Sequence, residues 1–431
     1  MITSAIHKKV SGGFSMFRDH PSEGVHIHIH KSDKFRTVIL QVALIWPGEK
    51  RESAVYFLLS SLLSDSCLKY PGKLEVSRRL DELYGASLQI RFRPVGNANR
   101  MSFSISACES SCVGEDILPG MFETVSEFLM KPRIENGKFP DSVFAECRKQ
   151  AELTLMMAYD EPGAKADYLA AEAYGGHLAR RNFPSQEELD QITNEDTVRA
   201  WEWMMEHARI DINILGNVDE DYVRTLAKES FPFHERRCEC RVEKHSPGSY
   251  ACMKEVRDIP QTHVVLVYDT GHLGLAGMSP SFVIANGIFG SLPTSMLFQN
   301  IREKQGLCYS IDSSFLSMDG ILKVTCAISP DHLEALLKSV QDQIDAMKNG
   351  AFSEEDVEIS KCMYISNLIS SYDSPGAVLS EDYRLSVCQY SLPREKLLEE
   401  FERVGKEDVV RSFQNVVLRA AAIVGPGGEN A

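Results

Sequence analysis

The chain has 431 residues, of which 43% are hydrophobic and 25% charged, and this ordinary globular composition excludes a fibrous or wholly disordered protein. Lysine and arginine number 46 against 61 aspartates and glutamates, and the formal net charge of −15 argues against nucleic acid or an anionic membrane surface as the main partner. No apolar run approaches the roughly 18 residues that span a bilayer. The composition therefore predicts a soluble protein with a sizeable core.

The N-terminal segment and the cysteines bear on the cellular compartment. Residues 1–18 are basic and contain serines, loosely as in an organelle-targeting peptide. The segment lacks the apolar stretch of a secretory signal, and Gly12 and Gly13 would weaken a helix there. We therefore expect a flexible N-terminus over residues 1–20. The 11 cysteines have no framework spacing, which favours buried free thiols in a reducing compartment, the cytoplasm.

The first half of the chain alternates between strand and helix patterns. Apolar residues at every second position predict strands, whereas apolar residues spaced three and four apart predict helices. The predicted strands are 25–30, 38–45, 88–92, 101–106 and 210–216. The predicted helices are 54–68, 74–83, 117–130 and 140–158, and a mostly helical tract continues to about residue 206.

The second half repeats this order. The predicted strands are 263–268, 309–311, 320–326 and 420–425, and the predicted helices include 282–289 and 295–304. Ser329-Pro330 begins a further helix that Gly350 ends, and Ser353 opens the next one as a capping box. Gly85 and Gly306 occupy the same place in their halves.

This internal repeat predicts the fold class. We expect an α+β protein with two tandem homologous units, each a mostly antiparallel sheet with helices on one face. The predicted domains are a flexible N-terminus (1–20), a first unit (21–233), a charged linker (234–260) and a second unit (261–431).

Two histidine clusters are candidate metal sites. His26, His28 and His30 alternate along one strand and so share a sheet face, where neutral imidazoles could bind a transition metal. The alternative is a solvated strand face with the intervening residues in the core. The second cluster, in the predicted linker, has ligand types that suit structural zinc, but Cys-x-Cys is not the usual spacing. Its members are His234, Cys238, Cys240 and His245.

The segment 297–310 contains the most specific local pattern. The sequence has no Gly-x-Gly-x-x-Gly after a strand, no phosphate loop, no Gly-x-Ser-x-Gly and no His-Glu-x-x-His in either direction. In 297–310, we expect Phe298 and Ile301 to face the core from a helix that ends at Gly306, so that Arg302 and Tyr309 point into the same space. A guanidinium beside a phenol suits a peptide carbonyl or its oxyanion. The alternative is an ordinary surface ion pair and a half-buried aromatic residue.

The string Leu-Phe-x-x-Ile-Arg-Glu-Lys-x-Gly-Leu-x-Tyr-Ser over 297–310 resembles the second half of the pitrilysin/insulinase-type zinc metallopeptidases and processing-peptidase subunits. The duplicated unit resembles that family over nearly the whole chain, each chain forming half of a clamshell. The segments 34–37 and 80–87 resemble zinc-less bacterial members that are named as associated with elongation factor P modification.

The chain departs from that family at the metal site. Active members carry His-x-x-Glu-His on the first helix, where the histidines bind zinc and the glutamate is the general base. The corresponding stretch here is Ser61 to Asp65, and the further glutamate ligand falls near Leu153, with Glu146 and Glu152 nearby. We therefore predict that this chain binds no catalytic zinc and cleaves no peptide by itself.

The resemblance implies a role beside an active partner. In family heterodimers the zinc-less subunit places its arginine and tyrosine against the partner's metal, which assigns Arg302 and Tyr309 to substrate binding in the partner's site. The leading hypothesis is an activating subunit for a zinc-bearing paralogue, or a self-associating chain, acting on unfolded peptides. The alternatives are a purely structural or peptide-binding module, and a stand-alone hydrolase with metal at His26, His28 and His30.

Overall fold

The computed structural model describes residues 15–48, 52–95, 97–180, 182–238, 248–272, 279–387 and 394–426. The chain forms two compact units that each draw on three segments of the sequence. Unit 1 comprises Met1–Leu155, Phe183–Arg241 and Ser374–Glu381. Unit 2 comprises Met156–Asn182, Val242–Asp373 and Asp382–Ala431. None of the described helices combines the length and apolar character needed to cross a bilayer.

Unit 1 is built on a six-stranded sheet of order β1-β2-β6-β3-β5-β4, in which only β2 and β6 pair in parallel. Its strands are β1 (Ser15–Ser22), β2 (Val25–Lys31), β3 (Thr37–Pro47), β4 (Ser87–Val95), β5 (Ala98–Cys108) and β6 (Arg209–Gly216). Because strand side chains alternate, β3 buries Val38, Leu40, Val42 and Leu44 on the face that packs on helices. The opposite face is more polar and includes Gln41, Arg91, Ser102 and Ser104.

Unit 2 is built on a five-stranded sheet of order β7-β11-β8-β10-β9, with β7 and β11 parallel. Its strands are β7 (Ala251–Val256), β8 (Thr262–Asp269), β9 (Cys308–Leu316), β10 (Ile321–Ile328) and β11 (Val417–Gly425). One face packs on a large apolar cluster that includes Phe282, Phe289 and Phe413. The mostly antiparallel sheets therefore agree with the predicted fold class.

The helices of the first half follow the predicted order with shifted ends. They are α1 (Ser53–Asp65), α2 (Lys73–Glu82), α3 (Ser110–Val113), α4 (Leu118–Met130), α5 (Asp141–Asp160), α6 (Pro162–Tyr174), α7 (Gly176–Ala179), α8 (Gln186–Asp190), α9 (Asn194–His207) and α10 (Glu220–Ser230).

The helices of the second half include two π-helices, Gly287–Ser291 and Leu297–Lys304, and a 3₁₀ turn, Pro330–His332. The α-helices are α11 (Pro280–Asn286), α12 (Leu333–Lys348), α13 (Glu354–Ser371), α14 (Pro375–Val387), α15 (Arg394–Arg403) and α16 (Lys406–Phe413). The predicted capping box at Ser353 is present, with Asp356 as its second member.

Two predicted non-regular segments contain strands. Ser15–Ser22, predicted as part of a flexible N-terminus, forms β1 and pairs antiparallel with β2. Ala251–Val256, predicted as part of the linker, forms β7 and pairs with β11. Both are edge strands, which pair with a neighbour on one side only. Their sequences alternate only weakly between apolar and polar residues, so the pattern does not predict them. Residues 1–14 and 239–247 lie outside the described part of the chain.

Two helix starts lie in the unit opposite to the one their sequence position suggests. Helix α6 belongs to unit 2, where Ala166, Leu169 and Ala170 pack on the sheet face that the large cluster leaves uncovered. The start of α14, within Ser374–Glu381, belongs to unit 1. The prediction divides the chain into two continuous stretches, 21–233 and 261–431. In the structure, part of the first stretch belongs to unit 2 and part of the second belongs to unit 1.

Candidate functional site

The predicted Arg302 corner begins in the π-helix Leu297–Lys304. Leu297 and Ile301 are fully buried, whereas Phe298 is only partly buried. The prediction for Ile301 is therefore confirmed, and the prediction that Phe298 faces the core is wrong. Because the i→i+5 hydrogen bonding of a π-helix puts more residues into each turn than an α-helix has, Phe298 and Ile301, three residues apart, no longer share a face, and Phe298 lies beside Arg302.

The helix ends in a turn that starts the edge strand β9. The amide of Gly306 donates to the carbonyl of Arg302 at 3.1 Å, and the amide of Leu307 donates to that of Ile301 at 3.2 Å. Gly306 has a φ of 64°, a conformation that glycine adopts without steric cost. In β9, Cys308 pairs with Ile328 and Ser310 with Ala327, so Tyr309 lies at a bulge. A bulge can re-aim a side chain.

These elements bring Arg302 and Tyr309 together on the surface. The guanidinium carbon of Arg302 lies 4.3 Å from the Phe298 ring centre and 5.5 Å from that of Tyr309. Tyr309 is 80% exposed. The nearest carboxylate is Glu303, 3.7 Å from the Arg302 Nε. An exposed phenol beside a stacked guanidinium can donate hydrogen bonds to an external carbonyl or oxyanion.

The stretch that aligns with the zinc motif lies at the end of α1. Leu62 and Leu63 are buried, and the Ser64 hydroxyl donates to the Ser60 carbonyl at 2.6 Å. Asp65 accepts from the Ser66 hydroxyl at 2.9 Å. Serine hydroxyls are poor zinc ligands compared with imidazole, thiolate or carboxylate. Among these side chains, only Asp65 offers a zinc ligand.

A lysine lies beside that carboxylate. Lys73 Nζ is 3.8 Å from Asp65 and 2.6 Å from Glu146, which lies on α5. The predicted neighbour Glu152 instead pairs with Arg148 at 3.5 Å. Across the part of the chain that the structure describes, no metal-ligand group of three forms at Asp65. The Lys73 ammonium, on a mostly exposed side chain, thus lies near both carboxylates and offsets part of their negative charge.

One candidate metal cluster does form, on the polar face of unit 1. His26, His28 and Asp211 present ligand atoms within 4.8 Å of one another, and His30 is outside the group. Arg209 already binds both Asp211 oxygens, at 2.9 and 3.1 Å. A metal here would have to displace that guanidinium. The predicted solvated face is also wrong, because His28 and His30 are buried between neighbouring strands.

The partly buried histidine His26 predicts a pH dependence of stability. Burial, helped by Arg209, lowers its pKa to about 4. Because the folded pKa lies below the unfolded value, stability is full above about pH 6.5 and falls as the pH drops towards 4. From this group the wild type should lose up to about 2 kcal/mol of unfolding free energy between pH 7 and pH 5. His26→Gln should not show that loss.

Urea denaturation at both pH values measures that loss. His207→Gln, at an exposed position on α9, is the matched control. An unchanged pH dependence in the His26 variant would contradict the prediction.

The second predicted metal cluster lies partly outside the described residues, which include neither Cys240 nor His245. His234 contacts the carbonyl of Glu206 at 3.2 Å, and the Cys238 thiol donates to the carbonyl of Ile45 at 3.6 Å. The described cysteines are free, and several are exposed rather than buried as predicted. The exposed ones are Cys108, Cys112, Cys252 and Cys362.

Comparisons with known proteins place this geometry in context. The model of the peptidase M16 inactive domain matches residues 191–363. A Bacillus subtilis protein named "probable inactive metalloprotease YmfF" is 24% identical over 406 residues, which cover 92% of this chain and 94% of the relative.

Two solved structures share the fold. A conserved protein from Enterococcus faecalis V583 is 23% identical, with a TM-score of 0.87 over 96% of this chain and 100% of that one. A peptidase M16 inactive domain from Pseudomonas fluorescens is 16% identical, with a TM-score of 0.80 over 96% and 99%. The predicted fold class is confirmed by these similarities.

Proposed function

We propose that this chain, which belongs to the pitrilysin/insulinase-type (M16) peptidase family, is the non-catalytic, activating subunit of a heteromeric zinc metallopeptidase that acts on unfolded peptides. In this proposal Arg302 and Tyr309 enter the site of a zinc-bearing paralogue. The predicted association with elongation factor P modification stays a prediction.

The α1 stretch supports the non-catalytic half of the proposal. A catalytic zinc needs about three protein ligands and an open position. Ser61 and Ser64 stand where the family pattern has a histidine and the glutamate, and Asp65 where it has the second histidine. The ammonium of Lys73, between Asp65 and Glu146, also disfavours a second cation there through charge repulsion. The chain is an inactive peptidase homologue.

The observation that carries the activating half is the exposed pair of Arg302 and Tyr309. The Arg302 guanidinium lies 4.3 Å from the Phe298 ring centre and 5.5 Å from that of exposed Tyr309, so its charge lies beside a phenol that an external group can reach. In the partner's site, its planar fork would bind the substrate carbonyl oxygen, and the Tyr309 hydroxyl would donate to the same oxygen as charge develops. The partner's zinc would supply Lewis-acid chemistry and an activated water.

The test is reconstitution with a zinc-bearing relative from the same source. We expect no hydrolysis of an unstructured fluorogenic peptide by this chain with added Zn²⁺, and hydrolysis by the pair above that of the partner alone. Tyr309→Phe keeps the ring beside Arg302 but removes the hydroxyl. It should lower kcat of the pair by about tenfold or more, because it removes one oxyanion donor.

Lys304→Gln is the matched control, since Lys304 is exposed on the same π-helix and donates to the side chain of Asn300 at 2.9 Å. Full activity of the Tyr309 variant would remove that residue from the site. If substitution of Arg302 were also silent, the alternative of a purely structural or peptide-binding module would replace the activating role. Activation of a second copy of this chain, without the relative, would indicate self-association.

A further inference from the structure

The polar face of the unit 1 sheet forms a groove whose charge is unusual for so acidic a protein. The groove has a volume of about 360 Å³ and crosses β3, β5 and β4. Three arginines line it, Arg91, Arg93 and Arg100, together with serine hydroxyls and the amides of Gln41 and Gln89. None of its lining residues is an aspartate or glutamate. The groove therefore offers many hydrogen-bond donors and concentrated positive charge.

Two of these arginines face each other across neighbouring strands. Arg93 on β4 is directly opposite Arg100 on β5, and like charges in that position destabilise a sheet. Arg100 donates to Gln41 at 2.6 Å, which fixes it at the floor of the groove. Arg91 lies two residues before Arg93 on the same face and is exposed. An anion bound between these side chains would offset their repulsion.

Unit 2 has a groove at the equivalent place that contains its own carboxylates. Its volume is about 410 Å³, and Glu161, Asp167 and Asp312 line it. Asp167 pairs with Lys323 at 2.8 Å. Glu161 caps the start of α6, where its carboxylate accepts a hydrogen bond from the amide of Gly163 at 3.0 Å and another from that of Ala164. The free amides and the positive dipole end of this helix start are therefore satisfied by a carboxylate of the chain itself.

A repeated hexapeptide relates the two grooves. Tyr-Asp-Glu-Pro-Gly-Ala at 159–164 begins α6, and Tyr-Asp-Ser-Pro-Gly-Ala at 372–377 begins α14. The two copies differ only at Glu161 and Ser374. Gly376, at the start of α14, lines the unit 1 groove, and a Cβ there would meet nothing nearer than the Ser374 hydroxyl at 3.9 Å. Unit 1 thus has no carboxylate at the place of Glu161, and the amide of Ala377, the counterpart of Ala164, donates to the Ser374 carbonyl at 3.1 Å.

We propose that the unit 1 groove binds a carboxylate of an extended peptide, held by Arg91, Arg93 and the start of α14. In unit 2 the corresponding helix start binds the Glu161 carboxylate through its amides. The ligand class is an acidic peptide, through either a glutamate or aspartate side chain or its terminal carboxylate. This inference goes beyond the subunit role and does not depend on it, since binding is a property of the chain alone.

Fluorescence anisotropy with labelled unstructured peptides tests the proposal on the full chain. A peptide with a glutamate side chain or a free C-terminus should bind at least about tenfold more tightly than the amidated glutamine peptide, which has neither carboxylate, as expected for charge-assisted hydrogen bonds. Each peptide is prepared with a free and with an amidated C-terminus, which separates the side-chain from the terminal carboxylate. Inorganic phosphate is added as a competitor, at the same concentration of negative charge as the unlabelled acidic peptide. Strong competition by phosphate would indicate a general anion site.

Two variants act on the groove. Arg91→Gln combined with Arg93→Gln should weaken binding about tenfold or more. Ser374→Glu supplies the carboxylate that unit 2 has, so it should occupy the groove and weaken binding equally while the protein stays folded. The control for net charge is Arg78→Gln with Arg199→Gln, both exposed on helices of unit 1, which should leave affinity unchanged.

The outcomes divide cleanly. Loss of binding in both groove variants, with the control intact, supports the proposal. Four results would overturn it: the amidated glutamine peptide binds as tightly as the peptides that carry a carboxylate, either groove variant keeps its affinity, the control loses affinity equally, or phosphate competes more strongly than the acidic peptide.

Discussion

Arg302→Gln is expected to lower kcat of the reconstituted peptidase pair by about 10²- to 10³-fold, the usual cost of one oxyanion donor. The substitution keeps a polar side chain of similar reach but removes the permanent charge and the bidentate fork. Because the interaction strengthens as charge develops on the carbonyl oxygen, KM should change much less than kcat. Steady-state kinetics on an unstructured fluorogenic peptide give both values.

Companion variants separate chemistry from folding. Arg302→Lys keeps the charge without the planar fork and should fall between the wild type and Arg302→Gln. Phe298→Ala removes the ring 4.3 Å from the guanidinium and should reduce kcat less, since Tyr309 still contacts Arg302. Wild-type activity of Arg302→Gln, with normal assembly of the pair, would end the activating role.

The proximity of Arg302 and Tyr309 could be predicted because it depends on local rules. A helix that ends at a glycine and turns directly into a strand constrains the residues on either side of the turn. The structure places the two side chains together, as that rule requires. The orientation of Phe298 could not be predicted, because α-helical spacing puts it on the same face as buried Ile301, whereas the π-helical turn separates the two and leaves Phe298 only partly buried.

The histidine strand shows a different limit. Alternation correctly separates Ile27 and Ile29 from His26, His28 and His30, but it does not reveal what covers the polar side. Long-range pairing places Asp211 beside His26 and Asn213 beside His28, so that His28 and His30 are buried and His26 is partly buried. Sequence periodicity reports which residues share a face, whereas the burial of that face depends on distant segments.

The two helix starts that belong to the opposite units could have been predicted from the sequence. The hexapeptides at 159–164 and 372–377 are nearly identical, and each Pro-Gly pair marks a helix start. What the sequence alone does not contain is the partner sheet of each helix, because Ala166 and Leu169 read as an ordinary apolar stripe. Recognising the second repeat would have indicated equivalent roles for Glu161 and Ser374.

Gly290→Ala is expected to destabilise unit 2 by about 3 kcal/mol, at the upper end of the usual cost of overpacking a core. Gly290 lies in the π-helix Gly287–Ser291, and an added Cβ would lie 2.4 Å from the Ser313 hydroxyl and 2.6 Å from Leu297 Cδ1. Ser313 cannot move freely, since its hydroxyl donates to buried Asn286 at 2.6 Å. Urea denaturation with a probe in unit 2 measures the effect.

The same substitution links packing to the Arg302 corner. Leu297 begins the π-helix that carries Arg302, so displacing Leu297 would shift the guanidinium relative to Tyr309 without touching either residue. Gly248→Ala, also in unit 2, is the matched control, because a Cβ there would have no atom within 4 Å. If both alanine variants unfolded at the wild-type urea concentration, Gly290 would not be a close-packed position, and the rigidity of the Arg302 helix would need another source.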